Sequence, residues 1–404
     1  MHTAMSQQKT FTQYEFGDEQ VEVLTRQGGR ELTRTEPRPE GEWLTPREVE
    51  QYMQRRLEAG AEEIVYRTLV AEGGLVPVQI RHERIGTQET EVAGKTVPVT
   101  VWNSRTSLMP GVPGVTRLGP EGEAVSSVVN MGGLKMVTRL ATAEEAREVG
   151  AQQAPELMLT LFIPVDQEID RPRETTRARY RVTAKQGDLV ELPSIGAQRV
   201  EMNEDGRSAI VAVDITDPLP ASAEELANPD FTEPSLTVDG SDPLIRKLAA
   251  RAVEGIPEDE VLARAEALRA FAFEHITGKG LETAFATASE TARHRTGDCS
   301  EHGVLLAALL RAEGIPSRVA TGVVYAGIIE GEKPIFGWHM WTQALIGGKW
   351  IDLDATLPVT YDAAHLLTGV AALSDGESMS DLNQMMALLG NIEIDLLDVG
   401  WKAD

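Results

Sequence analysis

Three polar residues, far apart in the chain, have the types and neighbours that thiol chemistry requires. Cys299, the only cysteine among 404 residues, follows Asp298 at the head of an apolar-periodic segment and lies two residues before Glu301. Asp298 can cap the first helical turn and Glu301 can reach back to it as a capping box, which makes Cys299 the first helical residue. A sulfur placed there sits among unpaired backbone N–H groups at the positive end of the helix dipole, an environment that favours a thiolate. A lone cysteine is more often a small buried hydrophobe than a nucleophile. The catalytic reading therefore rests on partners elsewhere in the chain.

A thiol nucleophile needs a base within hydrogen-bond reach and a third group that fixes the imidazole tautomer. Gly347-Gly348 reads as the two-residue loop of a hairpin. Ile346 then pairs with Lys349, Gln343 with Asp352, Trp341 with Asp354 and His339 with Thr356. Side chains two apart share a face, so His339, Trp341 and Gln343 lie with Asp352, Asp354 and Thr356. The diagonal neighbour of His339 is Asp354, and Asp352 lies two residues further away. Register thus selects Asp354 as the orienting carboxylate, although a three-residue loop would shift the pairing by one and remove the argument.

The elements that must position these residues follow from periodicity. Val304, Leu305, Ala308, Leu309 and Ala312 repeat at helical spacing after Cys299, and Gly314 with Pro316 ends the helix. Two more helices precede it, one with Leu244, Ile245, Leu248, Ala252 and Val253 on a face, the other running from Val261 to His275 and opened by Pro257. Strands are expected at Arg318–Tyr325, Trp338–Ile346 and Lys349–Asp354, then a helix at Leu382–Leu389 and an edge strand through Ile392, Ile394 and Leu396. Helices followed by an antiparallel sheet define an α+β domain.

Upstream, residues 10–235 read mainly as strands. Thr45-Pro46-Arg47-Glu48 opens an amphipathic helix. Strands are expected at Thr10–Tyr14, Val21–Leu24, Ile64–Val70, Val76–Ile80, Glu89–Val92 and Val97–Trp102, with a short helix near residue 143. Others follow at Leu157–Ile163, Ala178–Thr183, Arg199–Met202 and Ser208–Asp214. The proline-rich stretch 217–243 is a linker that hugs the surface. This divides the chain into a β-rich N-terminal domain with short helices (1–150), a second β-rich module (151–235) and a C-terminal domain (236–404).

Composition narrows the partners. A formal net charge of −25 argues against nucleic acid and against an anionic membrane surface, each of which needs a basic stripe. One cysteine excludes an internal disulfide and any multi-thiolate metal cluster. The first ten residues lack the apolar core of a signal peptide, and no run reaches membrane-spanning length. No membrane insertion by this chain is expected.

The blocks Gly297-Asp298-Cys299-Ser300-Glu301-His302, Leu310 to Arg318, Gly322-Val323-Val324-Tyr325, His339-Met340-Trp341 and Trp350 to Thr356 resemble, in this order, the transglutaminase-like (papain-like thiol) superfamily. The resemblance covers roughly residues 240–370, and Ala355 stands where the family usually has a proline. It implies a papain-like core of helices packed on an antiparallel sheet, preceded by β-rich accessory domains. Cys299 would be the nucleophile, His339 the base and Asp354 the orienter. The implied reaction is acyl transfer on peptide or amide bonds through a thioester. Hydrolysis of a peptide or protein substrate is the first reading, cross-linking by a protein-glutamine transglutaminase the second, and a non-catalytic scaffold with a vestigial triad the rival. No cofactor is implied. Thr90 to Thr96 and Asn130 to Leu134 loosely resemble β-rich segments preceding such domains in exported bacterial proteins, which points to an exported parent whose signal is absent from this chain.

Other residues have plainer readings. The Cys-x-x-His pair of Cys299 and His302 could bind zinc only with further ligands, so His302 is expected to be a hydrogen-bonded structural histidine. His275 and His365 are expected to be satisfied core or rim histidines. Asp375 to Ser378 lacks the ligand spacing of a calcium loop. The N–H of Cys299 is a natural oxyanion donor. Gln343 and Trp341 are candidates for a second donor, and equally for packing.

Overall fold

Local sequence decides the N-terminal elements in the computed structural model, which describes residues 2–5, 8–27, 30–70, 74–92, 95–107, 112–131, 134–146, 162–278, 286–328, 333–375 and 388–402. Strands β1 (His2–Met5), β2 (Gln8–Phe16), β3 (Gln20–Gln27) and β4 (Arg30–Pro37) form a meander in chain order. Thr45 then caps α1 (Pro46–Glu58). Its hydroxyl accepts the Glu48 N–H at 3.3 Å while the Glu48 carboxylate accepts the Thr45 N–H at 2.8 Å. The apolar face of α1 buries Met53 against Ile64, Trp102 and Leu118. These belong to a second antiparallel sheet of β5 (Glu63–Thr68), β6 (Val78–Val92), β7 (Lys95–Thr106), β8 (Gly114–Leu118), β9 (Ala124–Met131) and β10 (Leu134–Arg139). A helical turn at 143–146 follows. The expected strand at 157–163 and the boundary near 150 fall largely outside the described residues.

Two further sheets share one core. The first is built from β12 (Thr175–Ala184), β13 (Gln198–Met202) and β14 (Ser208–Asp214), ordered β13-β14-β12, with β19 (Ile392–Trp401) as the outer strand beside β12. The second has the order β11-β16-β15-β18. Here β11 is Ile163–Pro164, β15 Ser317–Ile328, β16 Pro334–Ile346 and β18 His365–Ala371, while β17 (Lys349–Leu353) pairs with β16. Tyr180, Val211 and Ile394 from the first sheet meet Val323, Tyr325 and Phe336 from the second. The Gln198 side-chain amide also exchanges two hydrogen bonds with the Leu367 backbone, both 2.9 Å. The expected strand through Ile392 is thus an edge strand, in the sheet of residues 175–214.

Stretch 217–243 is more ordered than a plain linker. It contains α2 (Ala223–Ala227) and packs along the β16–β17 hairpin. Ala221 N–H donates to Gly348 O at 2.8 Å, Glu225 pairs with Arg318 at 2.7 Å, and Phe231 meets the Trp350 ring edge-on at 4.9 Å.

Helices α3 (Pro243–Ala252), α4 (Val261–His275) and α5 (Ala288–His294) surround α6 (Cys299–Ala312). Pro257 does not open α4, which begins four residues later with Glu260 as its N-cap. Helix α6 is buried all round rather than on one stripe, and its middle, Val304 to Leu310, is apolar on every side. Ser300 to Arg311 are all buried. Side-chain bonds fix it to the sheet: Thr342 Oγ1 donates to Gly303 O at 3.0 Å, Ser317 Oγ to Ala307 O at 2.9 Å and Arg311 to Ser317 O at 3.0 Å. The chain is α+β, with a helical layer on an antiparallel sheet. Among the described residues, no helix is long and apolar enough to cross a membrane. The segment expected to be helical at 382–389 lies mostly outside the described residues.

Candidate active site

The capping box places Cys299 at the first position of α6. Asp298 Oδ1 accepts the Ser300 N–H at 2.8 Å and Glu301 accepts the Asp298 N–H at 3.0 Å. Glu301 is fully buried and also takes the Ala286 N–H at 2.9 Å, so one carboxylate joins the helix start to the segment before α5. Burial pushes that carboxyl above its ordinary range. As the first helical residue, Cys299 has an N–H with no acceptor inside the helix. Its side chain is half-buried.

The hairpin has the expected register. Gly347 and Gly348 have φ of 60° and 77°, the conformation of a two-residue turn that favours glycine. Ile346 pairs with Lys349 and Gln343 with Asp352, and the ladder ends at the pair Thr342 and Leu353. Asp354 is therefore one residue beyond the strand. Its Oδ2 lies 2.9 Å from His339 Nε2, and its Oδ1 accepts the Thr356 N–H at 2.7 Å. Across the sheet, His339 faces Gly322. A Cβ at 322 would stand 2.0 Å from Leu366 O and 2.7 Å from the Trp341 ring, so only glycine lets β18 come this close.

Cys299 lies close enough to the His339 ring for its sulfur to act on the charge of that ring. With Nε2 facing Asp354, Nδ1 is the nitrogen left for the sulfur. Burial penalises a charged ring, but the hydrogen bonds and charges of Asp354 and Cys299 outweigh it and lift His339 to about 9. Burial likewise opposes charge on Asp354, yet hydrogen bonds from His339 and His365 hold its carboxyl well below the usual range. The structure thus brings together Cys299, His339 and Asp354, and its electrostatics favour an imidazolium beside the sulfur.

Asp352, the other carboxylate on this face, has different work. Its Oδ1 accepts from Trp341 Nε1 and Gln343 Nε2, both at 2.8 Å. Both donors are fully buried, so neither Gln343 nor Trp341 is free to serve as a second oxyanion donor. They are packing and hydrogen-bonding residues.

His365 holds a place that spacing alone did not reveal. It is satisfied and wholly buried, as expected, but its partners are carboxylates: Nε2 is 3.3 Å from Asp354 Oδ2 and Nδ1 is 3.0 Å from Asp362 Oδ1. The one sequence signal was Asp362 three residues before it. The ligand atoms of His339, Asp354 and His365 lie within 4.8 Å of one another. The two rings already share the Asp354 carboxylate in hydrogen bonds, which accounts for that closeness without a cation. His302 Nδ1 meets Asp298 O at 2.6 Å, the structural role expected of it, and His275 Nε2 meets Ala292 O at 2.8 Å.

Residues 246–355 match the model of the transglutaminase-like superfamily. That match runs from within α3 to the residue after Asp354 and identifies a transglutaminase-like domain in the C-terminal part of the chain. Among solved structures, a proposed cysteine protease from Cytophaga hutchinsonii is similar at 18% identity, over 56% of this chain and 86% of that one, with a TM-score of 0.32. The periplasmic domain of TgpA from Pseudomonas aeruginosa is similar at 18% identity, over 50% of this chain and 76% of that one, with a TM-score of 0.29. No curated protein matches.

Proposed function

We propose that this protein hydrolyses peptide or amide bonds by cysteine-dependent acyl transfer. The observation that carries the reading is the His339–Asp354 hydrogen bond of 2.9 Å, with Cys299 near enough to act on the charge of the His339 ring. The Cys299 thiolate attacks the amide carbonyl and forms a C–S bond, with the oxyanion facing the N–H at the start of α6. As the C–N bond breaks, the His339 imidazolium gives its proton to the departing amine. Water then attacks the thioester while neutral His339 takes its proton, and the acid leaves as the thiolate returns. Asp354 keeps the ring oriented and stabilises its charge, as the third member of a triad does.

An amine in place of that water would give cross-linking, and the two outcomes differ in mass. The test is a screen of peptides with and without a primary amine donor, comparing wild type with Cys299→Ala by mass spectrometry. Wild-type cleavage with an increment of one water, lost in the variant, is expected. An amine adduct formed in preference would replace hydrolysis by transamidation. Equal turnover in both proteins, or alkylation of Cys299 no faster in folded than in unfolded wild type, would sink the proposal.

A further inference from the structure

Behind the residues assigned above lies a second buried histidine with an anion at each ring nitrogen. His365 Nε2 faces Asp354 Oδ2, and Nδ1 faces both Asp362 Oδ1 and the Asp362 carbonyl, at 3.0 and 3.2 Å. A neutral imidazole has one N–H and one lone pair. In this setting the lone pair would point at a carboxylate, whichever tautomer formed. Only the doubly protonated ring satisfies both sides. Its surroundings agree: the Tyr361 ring lies 4.3 Å from it and the Trp341 ring 5.4 Å, so two aromatic systems border a cation.

We propose that His365 is a positioning residue, an imidazolium at neutral pH that fixes the Asp354 carboxylate and sets the pH range in which the Cys299–His339 pair is reactive. This rests on the reading of Cys299 and His339 given under Proposed function. The groups alternate in charge along one row of contacts: Arg173, Asp362, His365, Asp354 and His339. Arg173 binds Asp362 Oδ2 at 2.8 Å and also reaches the Tyr325 carbonyl, which anchors the far end. Asp354 has no oxygen to spare, because Thr356 holds Oδ1 and the two histidines share Oδ2. Rotation of that carboxylate away from His339 would break the bond to His365 as well.

The electrostatic consequence has a definite sign. His365 and His339 have ring centroids 6.0 Å apart, so a charge on one opposes a charge on the other. The other titratable groups around His365 are Asp354, Asp362, Asp352 and Tyr361. The three carboxylates favour its charge, and Tyr361, pushed further above its ordinary range by burial, remains neutral. Removing the His365 charge therefore makes His339 hold its proton to higher pH. It also removes a positive charge that favours the thiolate.

Because Cys299 is the only cysteine, alkylation by iodoacetate, an anion whose rate falls once His339 loses its positive charge, reads the site without any substrate. In His365→Gln, both limbs of the alkylation rate against pH should move to higher pH, by roughly one to two pH units for a charge lost at this distance in a protein interior. Asp362→Asn, which weakens the hold on the His365 proton, should move them the same way by less. Folding of each variant is checked by circular dichroism. Should neither variant fold, imidazole nitrogen NMR of wild type decides, since His365 must show both nitrogens protonated at neutral pH. Limbs that stay in place while the rate falls uniformly, limbs that move to lower pH, or a neutral His365 ring in wild type would overturn the proposal. A wild-type profile like that of an unfolded thiol would instead remove the triad reading on which it rests.

Discussion

His82 on β6 and His365 on β18 are both buried, one at 6% and the other at 0% exposure, yet the two regions treat them in opposite ways. In the N-terminal six-stranded sheet, His82 meets the Tyr66 hydroxyl at 3.3 Å and the Ser104 hydroxyl at 2.7 Å. Both partners are neutral and can accept or donate. Burial therefore wins and lowers His82 to about 4. In the C-terminal core, burial also opposes charge on His365, but the charges and hydrogen bonds of Asp362 and Asp354 prevail and raise it to about 9. The same side chain, equally shielded from water, is neutral in one sheet and cationic in the other. What decides is whether the residues across the strand or around the bend carry charge, as Asp354 and Asp362 do beside His365 and Tyr66 and Ser104 do not beside His82.

The largest test removes that charge. Asp354→Asn leaves two buried imidazoles without their shared anion and should destabilise the C-terminal core by roughly 3–5 kcal/mol, as breaking a buried ion pair does. Chemical denaturation monitored with Cys299 alkylation would measure it. Loss of alkylation enhancement without loss of stability would show that Asp354 acts on reactivity alone.

Next comes the pH response, where the two regions should diverge. His339 and His365 bind protons more tightly when folded, so their stabilisation is complete below the ordinary value of 6.5 and is lost as the pH rises through about 9. His82 binds its proton less tightly when folded, so its stabilisation is present above 6.5 and is lost as the pH falls towards about 4. Hydrogen exchange of peptides from 78–106 and 334–371 should show opposite trends, the first less protected in acid and the second in alkali. Parallel trends would break the contrast.

A smaller change should convert one region into the likeness of the other. Ser104→Asp would set a carboxylate beside His82 Nδ1, and the midpoint of that ring, followed by NMR, should rise from about 4 to above 6.5. The smallest effect is expected from Tyr66→Phe, which removes one neutral hydrogen bond. About 1 kcal/mol should be lost in thermal unfolding, with His82 still neutral because Ser104 remains.

Where sequence could be read, the information was local. The capping box at Asp298 and Glu301 and the Gly347-Gly348 turn are each written within a few residues. Face parity carried the argument from the turn to Asp354, even though the ladder ends at Leu353 and the carboxylate reaches back from a bend. Parity alone could not tell how Asp352 is used, because that depends on the Trp341 and Gln343 side chains turning towards it. His365 was harder still. It lies in an apolar strand eleven residues after Asp354, and the two meet because β18 lies beside β15 rather than beside β17. That neighbour relation is set by the whole sheet. The same holds for β19, whose alternation marks a strand but does not say which sheet receives it.

The position of β19 orders events in time. Thr175 to Ala184 expose an open sheet edge until Ile392 to Trp401 arrive to cover it, and every residue of the thiol-bearing helix and hairpin is synthesised in between. Pairing across so long an interval is slow to nucleate. A growing chain therefore holds the helix of Cys299 and its hairpin beside an unfinished neighbouring sheet until residues 392–401 emerge and cover that edge.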